Sequence, residues 1–141
     1  MIAHTQEFYR IDYAPAPPLL RGQTLRPLTV REFTEAGELL LAQAQAYNCP
    51  YWLLDNRADR ARQQPELYHW IEDDYLPRVR ATLGRPPVIA FWNQPDFWQL
   101  LQTEGIVAPT AAPLSGAFRI GWFTEEAPAH AWIDQFRLLD G

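Results

Sequence analysis

The sequence predicts a single-domain α/β protein whose mixed, mostly parallel sheet has about five strands and is flanked by four helices. Short apolar runs suited to buried strands alternate along the chain with segments in which apolar residues recur every three to four positions. The 141 residues suffice for one hydrophobic core, and neither a repeat nor a linker interrupts them. We therefore expect one domain over residues 1–141, with its core at about 7–137 and a flexible loop at about 103–117.

The N-terminal part predicts a β-hairpin at the edge of the sheet. Apolar and polar residues alternate in EFYRIDYA, which is typical of a half-buried strand. The turn sequence PAPP follows, and LLRGQTLRPL then returns as a second strand. Thr29 and Glu32 have the spacing of a capping box, which marks the start of the first helix. The apolar stripe of that helix consists of Phe33, Ala36, Leu40, Ala44 and Tyr47.

Strands and helices then alternate to the end of the chain. YWLLD at 51–55 predicts a central strand, and Pro65 can begin the next helix, which Pro77 should kink or divide. PVIAFW at 87–92 predicts another buried strand, followed by a short helix after Pro95. FRIGWF at 118–123 predicts the last strand, before a final helix. Such alternation implies right-handed crossovers and parallel pairing.

This order and several phrases of the chain resemble the SpoIIAA-like branch of the STAS superfamily, the anti-sigma-factor-antagonist-type domains. The phrases are YWLLDNR, WIEDDYLPRV, PVIAF and FRIGWFTEEAPAHAWI, and the similarity extends from Phe8 to Phe136. The resemblance implies a sheet flanked by helices and a non-enzymatic regulatory or binding role, often with self-association. In regulatory members a phosphorylated serine follows the central strand. Here DNRADRARQQPE contains no serine or threonine, so no phosphorylation site is carried over.

Composition argues against several classes of function. The net charge of −5 disfavours nucleic acid and anionic membranes as partners. All 12 basic residues are arginine, which excludes lysine Schiff-base chemistry. Ser115 is not in a nucleophile elbow, and Cys49 has no partner in a recognisable motif. No stretch has the length of a membrane span and no signal peptide is apparent, so we expect a cytoplasmic protein without a cofactor.

The strongest candidate site is the cluster of charges that follows the central strand. Asp55, Arg57, Arg60 and Arg62 occupy a strand end, where open α/β sheets bind ligands. The arginines could clamp a phosphate or carboxylate, contribute to a homodimer interface, or form exposed ion pairs with Asp55 and Asp59.

Two further groups are weaker candidates. Glu66, His69 and Asp73 would share one helix face and could hold a metal or act in acid–base catalysis, although a solvated helix face explains them better. FWNQPDFW contains four large rings, of which Trp92 should end a strand. Phe97 or Trp98 would then line a cleft or a partner surface, unless these rings only fill the core.

These observations predict a non-catalytic binding or regulatory module that acts through protein–protein association, including homodimerisation. The alternative is a binder of a small apolar or amphipathic acidic ligand near Trp92 and Trp98. An enzyme using Glu66, His69 and Asp73 is the third hypothesis.

Overall fold

The computed structural model describes residues 2–58, 69–94 and 119–140 of the chain. Six strands form one sheet: β1 (Ile2–Thr5), β2 (Tyr9–Pro15), β3 (Pro18–Thr24), β4 (Tyr51–Asp55), β5 (Val88–Trp92) and β6 (Arg119–Phe123). The α-helices of these ranges are α1 (Val30–Tyr47), α2 (Leu76–Leu83) and α3 (Glu126–Asp140), and a π-helical segment, Ile71–Tyr75, runs directly into α2.

The strands lie side by side in chain order. Strands β1, β2 and β3 pair antiparallel, whereas β3, β4, β5 and β6 pair parallel. The predicted α/β class with a mixed sheet is therefore confirmed, and the antiparallel part is N-terminal as expected. Strand β1 is an addition to the five strands that the sequence predicts.

The two faces of the sheet carry different helices. Leu53 and Ala90 pair in one row, and alternation places Leu54 and Phe91 on the opposite face. In the Leu53 row, a Cβ added to Gly121 would meet the Trp132 side chain of α3 at 3.0 Å. In the Leu54 row, a Cβ on Gly22 would meet Leu40 of α1 at 3.1 Å. Strands β4 and β5 are buried along their whole length because helices cover both faces.

Helix α1 begins as its sequence predicts. The Thr29 hydroxyl accepts a hydrogen bond from the Glu32 backbone N–H at 3.1 Å, and the Glu32 carboxylate accepts one from the Thr29 N–H at 3.0 Å. Asn48 ends the helix in the left-handed conformation, with φ 51°. Within the expected stripe Ala36, Leu40 and Ala44 are buried, while Phe33 and Tyr47 are half-buried. The capping box is thus confirmed.

The predicted break near Pro77 takes the form of a wider helical turn. The Leu76 N–H donates to the Ile71 carbonyl, five residues back, as in a π-helix. Pro77 lacks an N–H, and its ring would crowd the carbonyl of Asp73 in a regular α-helix, which explains why the widened turn comes directly before it. Helix α2 then ends at Gly84, which has φ 73°.

Three predicted segments lie outside the described residues. They are the helix start at Pro65, the short helix after Pro95 and the flexible loop at 103–117. The expected number of four helices is consequently left as a prediction.

Candidate functional site

The C-terminal ends of the parallel strands bring predicted site residues together. Asp55 is the last residue of β4 and Trp92 the last of β5, and the two are paired in the sheet register. Gln23 of β3 is the partner of Asp55 on the other side. Since parallel strands end at the same edge, residues distant in the sequence meet here.

Asp55 holds Arg57 in a fixed position. The Nε and Nη2 atoms of Arg57 donate to the two carboxylate oxygens of Asp55, each at 3.0 Å, and the Arg57 backbone N–H donates to the Oδ1 atom at 3.2 Å. The Asp55 side chain is only 4% exposed, whereas that of Arg57 is 43% exposed. The hydrogen bond to Asp55 raises the pKa of Arg57 above its ordinary value. This is a bidentate, charge-assisted pair with one buried partner.

Trp92 supports the same guanidinium from below. The Cζ atom of Arg57 lies 3.5 Å from the centroid of the Trp92 ring, which is a close cation–π contact. The Trp92 ring belongs to the buried core, so it offers Arg57 a rigid surface. Among the described residues, no hydrogen-bond partner contacts the Nη1 atom of Arg57. The arginine is therefore oriented by two neighbours while 43% of its side chain stays exposed.

A second charged network lies beside Trp92. The Nη1 atom of Arg21, on β3, donates to the Oε2 atom of Glu126 at 2.7 Å, and the Cζ atom of Arg21 is 5.9 Å from the Trp92 ring centroid. The Nε2 atom of His130 lies 3.0 Å from the same Glu126 oxygen. The hydrogen bonds from His130 and then Arg21 lower the pKa of Glu126. This network connects α3 to the sheet next to the site.

A groove of about 300 Å³ opens at this edge of the sheet. The described residues of its wall are polar apart from Ala58; they are Gln23, Thr24, Asp55, Arg57, Ala58 and Gln94. The Gln94 side chain donates to the Arg57 carbonyl at 3.3 Å, which ties the segment after β5 to the segment after β4. The groove has the size of a small-molecule site and contains the same oriented arginine.

The structure places the other predicted site residues as follows. Arg60, Arg62, Phe97 and Trp98 lie outside the described residues, as does Glu66. His69 and Asp73 are exposed. In the described ranges, no three histidine, cysteine or acidic side chains are grouped so that they could hold a metal ion. The structure thus unites Asp55, Arg57 and Trp92, while the acid–base hypothesis stays a prediction because Glu66 lies outside the described residues.

Several residues of the site were not predicted from the sequence. Arg21 and Gln23 alternate on β3, but their place beside Asp55 depends on the register between β3 and β4. Two other residues could have been found from the sequence. An asparagine comes directly after each of the two buried strands: Asn56 after β4 and Asn93 after β5. Such a repeated pattern indicates matched polar residues at one edge of the sheet.

Comparisons of the chain with protein-family models, with curated proteins and with solved structures found no match. As for membranes, the helices of the described ranges include none with the length and apolar character needed to span a bilayer.

Proposed function

We propose that this chain is a non-catalytic binding module of the SpoIIAA-like STAS type that acts through protein–protein association, including homodimerisation. Its recognition surface is the strand-end surface, defined here as Gln23, Asp55, Arg57, Trp92 and Gln94. One observation carries the proposal: Arg57 is held by the buried carboxylate of Asp55 and stacked on Trp92, yet 43% of its side chain is exposed.

An arginine oriented in this way is suited to an interface for an energetic reason. Ordering a free arginine side chain on binding costs about 0.5–1.5 kcal/mol, and Asp55 and Trp92 have already restricted Arg57 before a partner arrives. Arginine and tryptophan are also enriched among the residues that dominate interface energies. The surface therefore combines a rigid base with a partly exposed donor.

The architecture supports the same proposal. The antiparallel strands β1–β3 continue into the parallel strands β4–β6, with α1 between β3 and β4 and α2 between β4 and β5, and this agrees with the order that the resemblance to STAS domains implies. Open α/β sheets bind their ligands at the C-terminal ends of the parallel strands, which makes this edge the favoured place for recognition. A cytoplasmic location fits a module of this kind and is part of the proposal.

A second candidate function is the binding of a small acidic ligand. The specific observation in its favour is the groove of about 300 Å³, whose described wall includes the basic side chain of Arg57. A carboxylate or phosphate in the groove would accept from the Nη1 atom of Arg57. Asp55 also lines the groove, but both of its oxygens already accept hydrogen bonds from Arg57.

Sedimentation equilibrium of the wild type and of Arg57→Gln tests the association directly. Arg10→Gln is the matched control, because Arg10 also pairs with an aspartate two residues away at 3.0 Å and is equally exposed. We expect a wild-type dimer in the micromolar range, a dissociation constant raised about tenfold or more by Arg57→Gln, and no change with Arg10→Gln. A wild-type monomer throughout, or equal effects of the two substitutions, would contradict self-association through this surface.

A further inference from the structure

A partly enclosed cavity of about 50 Å³ lies on the face of the sheet that α1 covers. Its walls come from β2, β3, β4, β5, α1 and the helical residues 70–76. The rings of Phe33, Trp52, Trp70 and Phe91 supply much of this lining, and polar atoms contribute little. Such an apolar cavity is suited to an apolar group of a ligand and not to water.

The size of the cavity limits what it can hold. An engineered cavity of about 150 Å³ accepts a benzene molecule, so a volume of 50 Å³ has room for an alkyl group of about two to three carbons. Larger groups would require the surrounding side chains to move, which is costly in a closely packed core.

The cavity and the groove share a wall. Thr24 lines both, and its hydroxyl donates to the Oδ1 atom of Asn56 at 3.3 Å; Asn56 itself lines the cavity. The apolar compartment therefore borders the polar compartment that contains Arg57.

We propose that the cavity and the groove together form a site for a short-chain aliphatic carboxylic acid. The alkyl group enters the cavity between α1 and the sheet, and the carboxylate lies near Thr24, where the Arg57 guanidinium supplies the hydrogen-bond donors. This inference assigns a ligand class to the second candidate function and rests on that function, whereas it is independent of protein association.

The chain length of the acid should control its affinity. Each methylene group that enters the cavity leaves water and strengthens binding about fourfold. From acetate to propionate to butyrate we therefore expect a stepwise gain. Hexanoate should bind no more tightly than butyrate because the cavity is then full.

The experiment is titration of ¹⁵N-labelled protein with the sodium salts of these four acids and with 1-butanol. The indole N–H signals of Trp52 and Trp70 report on the cavity. Ala36→Val fills the cavity, and Ala42→Val, at an exposed position of the same helix, controls for valine in α1. We expect Ala36→Val to abolish the gain with chain length and Ala42→Val to retain it, while Arg57→Gln weakens butyrate about tenfold or more without affecting 1-butanol.

Three results would overturn the inference. These are the absence of binding by any of the acids, affinities that do not depend on chain length in the wild type, and equal binding of 1-butanol and butyrate. The wild-type series is decisive even if Ala36→Val does not fold. If Ala36→Val loses butyrate binding but still forms the dimer, the ligand site and the association surface are separate.

Discussion

Removing the charge of Asp55 should destabilise the protein far more than the same change at Asp12. Both aspartates pair with an arginine two residues away at 3.0 Å, and both arginines are 43% exposed. The carboxylates differ, because the Asp55 side chain is 4% exposed and that of Asp12 is 27% exposed. The comparison therefore isolates the effect of burying the acidic partner.

The loss of unfolding free energy expected for Asp55→Asn lies between the values for an exposed and a fully buried ion pair. Exposed ion pairs contribute about 0.2–1 kcal/mol, and breaking a fully buried pair costs about 3–5 kcal/mol. Only one partner is buried here, since Arg57 can regain water, and the backbone N–H of Arg57 also loses a charged acceptor. We expect Asp55→Asn to cost about 2 kcal/mol and Asp12→Asn less than about 1 kcal/mol.

Urea unfolding followed by tryptophan fluorescence measures both values. With a urea m-value of about 1–3 kcal/mol per molar, a loss of 2 kcal/mol lowers the midpoint by about 1 M. The double variant Asp55→Asn/Arg57→Gln should cost less than the sum of the two single changes, because the pair is lost only once. Equal losses for Asp55→Asn and Asp12→Asn, or strict additivity in the double variant, would refute the idea that Asp55 anchors Arg57.

Three other predictions concern stability and reactivity. The hydrogen bond from Arg26 holds the pKa of Glu32 at about 2, below its ordinary 4.5, so the stabilisation from ionised Glu32 is complete above pH 4.5 and is lost as the pH falls to about 2. Glu32→Gln should flatten the pH dependence of the unfolding midpoint over that window. Gly22→Ala places a Cβ against the Tyr9 hydroxyl and 2.9 Å from its Cζ, and should cost about 1–3 kcal/mol by urea unfolding, with part of the loss restored by Tyr9→Phe. Cys49 is fully buried and burial raises its pKa, so thiol reagents should label it only as fast as the protein unfolds; rapid labelling under native conditions would contradict this.

Local signals were sufficient to predict much of the fold. The capping box at Thr29 and Glu32 depends on residues close in the sequence, and it is present in the structure. The runs at β4 and β5 were predicted as buried strands because bulky apolar residues without alternation suit a strand covered on both faces. Strand β1 gave no comparable signal, since four residues are too few to show a period.

The site was only partly predictable because its geometry depends on long-range pairing. Asp55 and Arg57 are near neighbours, and exposed ion pairs between Asp55 and the following arginines are one of the alternatives that the sequence allows. The burial of Asp55 and the stacking of Arg57 on Trp92 were not predictable from the sequence. Trp92 comes 35 residues after Arg57 and contacts it only because β4 and β5 pair in this register. Arg21 reaches Glu126 across a still longer separation, through the packing of α3 on the sheet.

The most direct test of the central claim is a dilution series of ¹⁵N-labelled protein that follows three side-chain signals. We predict that association shifts the Nε–H signal of Arg57 and the indole N–H signal of Trp92, while the Nε–H signal of Arg10 stays constant. Shifts confined to other parts of the molecule, or signals of Arg57 and Trp92 that do not depend on protein concentration, would contradict the claim that self-association uses the strand-end surface.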